Sequence, residues 1–131
     1  MIDSLVSTPS IQLLERTLDF TERRHQVIME NLANISTPGY IEKDMSVRQF
    51  QKSLREAADR QRSSPGLTPE LAVEEVPVVD APNSVPFHDR GIRNMENLQT
   101  QLADNALAHN MTAQLLRGRY DTLTRAISMK V

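Results

Sequence analysis

The chain has 131 residues, 39% of them hydrophobic, with two Tyr, three Phe and no Trp. That is enough for one domain but makes a thin globular core, so burial is expected to need partners. Its 15 basic and 17 acidic residues give a net charge of −2 and are spread along the chain, which argues against a nucleic-acid ligand. With no cysteine, disulfides, thiol catalysis and thiolate metal sites are all excluded, and the redox compartment is left undetermined.

The start, Met1-Ile-Asp-Ser-Leu-Val-Ser-Thr-Pro9, lacks a basic cluster followed by an apolar run and does not read as a cleavable secretory signal. No segment has the apolar length of a membrane span. Thr8-Pro9 reads as a helix start, with Thr8 as N-cap and Pro9 in the first turn. From there Ile11, Leu14, Leu18, Thr21, His25, Ile28, Leu32 and Ile35 recur at steps of three and four, the spacing of a coiled-coil seam. Leu13, Phe20 and Val27 form a second row at sevenfold spacing, so this helix has apolar surface for two neighbours. The pattern stops at Thr37-Pro38-Gly39-Tyr40. Pro38 disfavours helix at Thr37, and Gly39 supplies the positive φ that a type II turn requires.

After the turn, Ser46 and Gln49 have capping-box spacing and Val47, Phe50, Leu54 and Ala57 follow at helical steps, which predicts a short helix near 46–60. From Ser63 to Gly91, Pro65, Pro69, Pro77, Pro82 and Pro86 break every window that could hold a long helix, leaving an irregular connector. Val73 to Val79 is strand-like in composition, but Pro77 confines it to an edge or to extended chain. Asn94 is a candidate cap for the last helix, whose stripe reads Met95, Leu98, Leu102, Ala106, His109, Ala113, Leu116, Tyr120, Leu123 and Ile127. The two steps of four at Leu98, Leu102 and Ala106 predict a local drift from the heptad. Residues 95–128 would span roughly 50 Å. Leu107, Met111 and Leu115 add a further apolar row, and Gly118 is a weak point costing about 1 kcal/mol against alanine.

These elements define an all-α protein. Its long N- and C-terminal helices pack as an antiparallel partial coiled coil, with a short helix and a long irregular proline-rich connector between them. Residues 1–40 hold the first helix and turn, 41–93 the short helix and connector, and 94–131 the last helix. The two long helices are expected to pair through Leu14, Leu18, Ile28 and Leu32 against Leu102, Leu116, Tyr120 and Leu123. The side rows Leu13, Phe20, Val27 and Leu107, Met111, Leu115 are expected to bury against neighbouring subunits.

No catalytic or metal motif is present, and no catalytic, cofactor-binding or metal residue is assigned. His25 and His109 both fall on seam positions; a polar residue that fixes register is favoured there over half of a metal site. His88-Asp89-Arg90 reads as a solvated turn. Asn31 and Asn34 leave two readings open, a bond to backbone across a subunit boundary or local capping of their own helix. Tyr40 suits either an interface or a fold back onto its own helix. Asp104-Asn105 suit either solvent or an inter-subunit bond.

The run Asn31-Leu-Ala33-Asn34-Ile-Ser-Thr37-Pro38-Gly39-Tyr40 resembles the signature that follows the N-terminal helix in bacterial flagellar rod and hook proteins. Thr100-Gln-Leu-Ala-Asp104-Asn105-Ala-Leu107, with Gln114-Leu115-Leu116 and Ile127, is similar to the C-terminal helix of the proximal rod member of that family. The resemblance implies a structural subunit of the basal-body rod, exported without signal cleavage and placed beyond the inner membrane, which carries motor torque. It also implies a homo-oligomer whose partners are other rod proteins, the rod-base adaptor, the membrane-ring protein and the export gate, with no cofactor, nucleic acid or small-molecule substrate. Where the family carries Asp-Gly-Asn-x-Val-Asp before the last helix, this chain has Asp89-Arg90-Gly91-Ile92-Arg93-Asn94, so contacts made there are not carried over. The rival reading is a soluble helical adaptor or export chaperone.

Overall fold

A computed structural model describes residues 9–63, 75–81 and 91–129. The expectations for Thr8, for most of the proline-rich connector and for His88-Asp89-Arg90 lie outside those residues.

Three helices dominate. Helix α1 runs Pro9–Ala33, α2 Val47–Ser63 and α3 Gly91–Ser128. Pro9 opens α1, as suits a residue whose missing N–H costs nothing in a first turn. Ser46 caps α2, its hydroxyl accepting the Gln49 N–H at 3.2 Å. Helix α3 begins three residues earlier than expected. Asn94 is therefore not its N-cap and instead donates its side-chain amide to Glu42 Oε1 at 3.0 Å.

The described residues are mostly helical, as the all-α expectation has it, with one short two-stranded ladder added. Strand β1 (Lys43–Asp44) pairs antiparallel with β2 (Val79–Asp80), Lys43 opposite Asp80 and Asp44 opposite Val79. The Ala81 N–H extends the ladder to the Glu42 carbonyl at 2.8 Å. The segment that sequence alone marked as edge or extended chain thus returns to pair beside the turn, with exposed Pro77 just ahead of the paired residues.

The main helix contact is α1 on α3. Its direction is antiparallel, because cross-helix bonds join Glu15 to Tyr120, Thr21 to His109 and Arg24 to Gln101. On α3 the inward positions are Leu98, Leu102, Asn105, His109, Thr112 and Leu116, at steps of four, three, four, three and four. The drift expected at Ala106 is therefore absent. Ala106 is exposed, and buried Asn105 keeps the spacing regular. On α1, Thr21 is buried as the seam required, but His25 is exposed and leaves the seam.

A second core forms on the other side of α1. Phe20 and Val27 cluster with Met45, Phe50 and Val76, with Leu54 packed against them. The Phe20 and Phe50 rings stack with centroids 4.0 Å apart and planes 3° from parallel. This corrects the subunit-interface expectation for Phe20 and Val27. They are 7% and 9% exposed within the single chain because α2 folds back over them. Exposed Arg23 and Glu75 pair at 3.2 Å beside this cluster, a contact of about 0–1 kcal/mol.

Candidate assembly site

The corner after α1 is held by one side chain. Asn31, 2% exposed, accepts the Lys43 N–H on Oδ1 at 2.9 Å and donates Nδ2 to the Lys43 carbonyl at 2.6 Å. The same Oδ1 accepts the Tyr40 hydroxyl at 3.1 Å. A carboxamide carries an acceptor and a donor side by side, so it can satisfy both outward groups of one strand residue. Asn31 therefore covers the outer edge of β1 while β2 covers the inner one.

The rest of the signature shapes the corner. Asn34 donates Nδ2 to the Glu30 carbonyl at 2.9 Å, which is local capping of its own helix, and exposed Thr37 bonds Asn34 Oδ1 at 3.4 Å. The Tyr40 N–H reaches the Thr37 carbonyl at 3.2 Å and Gly39 has φ +77°, the geometry of a type II turn. Pro38 and Ala33 are exposed. Among the described residues nothing lies within 4 Å of a Cβ added at Gly39, so the cost of a side chain there is conformational. We expect Gly39→Val to lower stability by about 1–3 kcal/mol and Ser36→Ala by less than about 0.5 kcal/mol in urea unfolding. Equal losses for the two would refute this assignment.

Charges tighten the corner. Lys43 Nζ bonds Glu30 Oε1 at 2.9 Å, and this bond raises the lysine pKa. Burial, then the nearby Glu30 carboxylate, raise the Tyr40 pKa. The Tyr120 hydroxyl donates to Glu15 Oε1 at 2.8 Å, which with partial burial raises its pKa too. For each group the folded state favours the protonated form. The associated stability is present below the unfolded pKa, about 10 for Tyr and 10.4 for Lys, and is lost as pH rises through the folded value. Ultraviolet titration should find both phenols ionising above the ordinary tyrosine value, with helicity falling in the same window. Phenols titrating at the free value would show that these bonds do not persist in solution.

Along the α1–α3 contact a buried polar group was missed by apolar pattern reading. Asn105 donates Nδ2 to the Thr21 carbonyl at 2.8 Å. Thr21 Oγ1 donates to the Leu18 carbonyl at 2.8 Å and lies 3.0 Å from His109 Nδ1. Leu98, Asn105 and Thr112 stand seven apart, and that sevenfold spacing was the available signal.

The expected pairing residues are spread through the same contact region. Ile28 is buried; Leu14, Leu18, Leu32, Leu102, Leu116 and Leu123 are half-buried; Tyr120 is largely exposed but bonded across to α1. Leu13 is half-buried beside the second core's row. Leu107, Met111 and Leu115 are 61%, 56% and 59% exposed, a continuous apolar row on α3 that no described residue covers. Among the described residues no group of three or more His, Cys, Asp or Glu is placed to hold a metal ion, and no helix is long and apolar enough to cross a membrane. The polar cleft of about 210 Å³ between the corner and α3 is lined mainly by amides and by Glu42, Lys43 and Asp44.

Fold and site together define a helical protein with paired terminal helices, a clamped corner and, among the described residues, one uncovered apolar row. Along its length the chain is similar to the flagellar basal body rod protein FlgB of Escherichia coli (strain K12), 26% identical over an alignment of 135 positions that covers 91% of each chain. The flagellar basal body rod protein FlgB of Shigella flexneri matches with the same identity and coverage. No family model matches the chain. The resemblance to flagellar rod proteins carried by the two terminal motifs is borne out, and it is to a FlgB-like protein.

Proposed function

We propose that this chain is a structural subunit of the proximal rod of the bacterial flagellar basal body, assembling through its terminal helices and transmitting motor torque. The observation that carries the reading is the extent of the similarity, 91% of this chain and 91% of its FlgB relative, which takes in both terminal motifs and the region between them. The corner supports it. A shaft subunit must keep a fixed angle between its helices and the segment that follows, and a buried amide with three bonds resists bending there.

In this reading the paired helices form a partial coiled coil, and Leu107, Met111 and Leu115 bury against neighbouring subunits. Copies of the chain, other rod proteins, the rod-base adaptor, the membrane-ring protein and the export gate are its partners, and the assembled site is periplasmic. Met111→Ser should leave the isolated chain's stability within about 0.5 kcal/mol of the parent, because the side chain is already in water. In cells whose only copy carries this change, motility should fail and isolated basal bodies should lack a complete rod. Normal rods with Met111→Ser would overturn the proposed interface. Normal rods in cells lacking the chain altogether would overturn the rod reading and favour an adaptor.

A further inference from the structure

The uncovered face of α3 is a stripe of Thr100, Asp104, Leu107, Met111, Leu115, Gly118 and Thr122, all exposed. Outward from Met111 the steps are four, three and four in both directions, and the residue types match at two of the three pairs: leucine with leucine and threonine with threonine. Beyond the stripe, Glu96 lies at the acidic end and Arg125 at the basic end, and turning one helix end for end about Met111 sets each against the other. Both threonine hydroxyls donate within their own helix, Thr100 to the Glu96 carbonyl and Thr122 to the Gly118 carbonyl, at 2.9 and 2.8 Å. Their hydrogens are therefore satisfied if the face is covered.

Gly118 points the same way. A glycine inside a helix costs about 1 kcal/mol against alanine. Among the described residues nothing lies within 4 Å of a Cβ built there, so none of them needs the space. On the stripe it leaves a notch opposite position 104 of a reversed copy, beside Arg119.

We propose that the unassembled chain pairs with a second copy of itself, α3 against α3, antiparallel about a two-fold axis at Met111. Leu107 then meets the partner copy's position 115, and Arg125 meets its position 96. Such a pairing is isologous and closes on itself, so it cannot propagate through the same row. Each copy contributes only three large apolar side chains, well short of a standard interface, so the dimer is weak, with a dissociation constant of roughly 10–100 μM. The pairing stands on the stripe alone. Its consequence, that a closed dimer holds the row out of premature polymerisation, rests on the rod reading.

The chain has no cysteine, so full-length single-cysteine variants report the geometry directly. Helices packed about 8 Å apart bring facing Cα atoms to about 4–6 Å at the axis, within disulfide reach. Under mild oxidation Met111→Cys should form covalent dimer about tenfold faster than Leu107→Cys or Leu115→Cys alone, whose equivalent positions lie about 12 Å apart along the axis. A mixture of the two leucine variants should match Met111→Cys. Sedimentation of the parent should show concentration-dependent dimer, weakened several-fold by Arg125→Glu and restored when Glu96→Arg is added. Comparable crosslinking at all three single positions would mean parallel helices, and a monomer at every concentration would mean no pairing; either overturns the proposal. Loss of crosslinking with rods still blocked by Met111→Ser would leave the rod reading intact, whereas the expected crosslinks with normal Met111→Ser rods would leave only the dimer.

Discussion

Replacing Asn31 with alanine is expected to cost about 2–4 kcal/mol and to release the corner from α1. The change removes three hydrogen bonds at once, two to Lys43 backbone and one to Tyr40. It also leaves a cavity at a position only 2% exposed. Tyr40→Phe removes one of the three and should cost about 0.5–1.5 kcal/mol, so the two variants should differ clearly in urea unfolding. Hydrogen exchange supplies a local readout, since the Lys43 amide should lose protection in Asn31→Ala and keep it in Tyr40→Phe. Losses within about 0.5 kcal/mol of each other would mean that Asn31 does not hold the corner.

The second large effect belongs to the stacked pair. Phe50→Ala should cost about 3–5 kcal/mol, and Phe20→Ser at least as much, since it adds a buried hydroxyl to the lost ring. Both should free α2 from α1 and reduce the helical circular dichroism signal of the isolated chain. Had Phe20 faced a neighbouring subunit, its replacement would have spared the folded chain and blocked only assembly. Phe20→Ser with unchanged stability would restore that earlier expectation, and Met111→Ser, on a water-exposed row, is the internal control.

The long helices, the turn and the short helix were legible because each depends on neighbours in the chain. Apolar spacing marked α1 and α3, Ser46 marked the start of α2, and Pro38-Gly39 marked a turn whose positive φ the structure contains. The inward face of α3 was only partly legible. Reading by apolarity chose Ala106, whereas the packed position is Asn105, whose amide finds the Thr21 carbonyl on the opposite helix. A polar residue can be buried when its partner is present, and that partner lies 84 residues away.

By itself the amino-acid sequence determined that two long helices flank a turn and a short helix, which two rows were too apolar for one pairing, and that the corner needed glycine. Those follow from backbone dihedral preferences and from side-chain periodicity, which act over a few residues. Only the tertiary structure decided which row is covered. Helix α2 and Val76 return to bury Phe20 and Val27, while Leu107, Met111 and Leu115 stay open. It likewise decided the role of Asn31, because the Lys43 backbone it binds comes within reach only once the turn has closed. Burial and long-range hydrogen bonding depend on which segments meet in space, and no local pattern specifies that meeting.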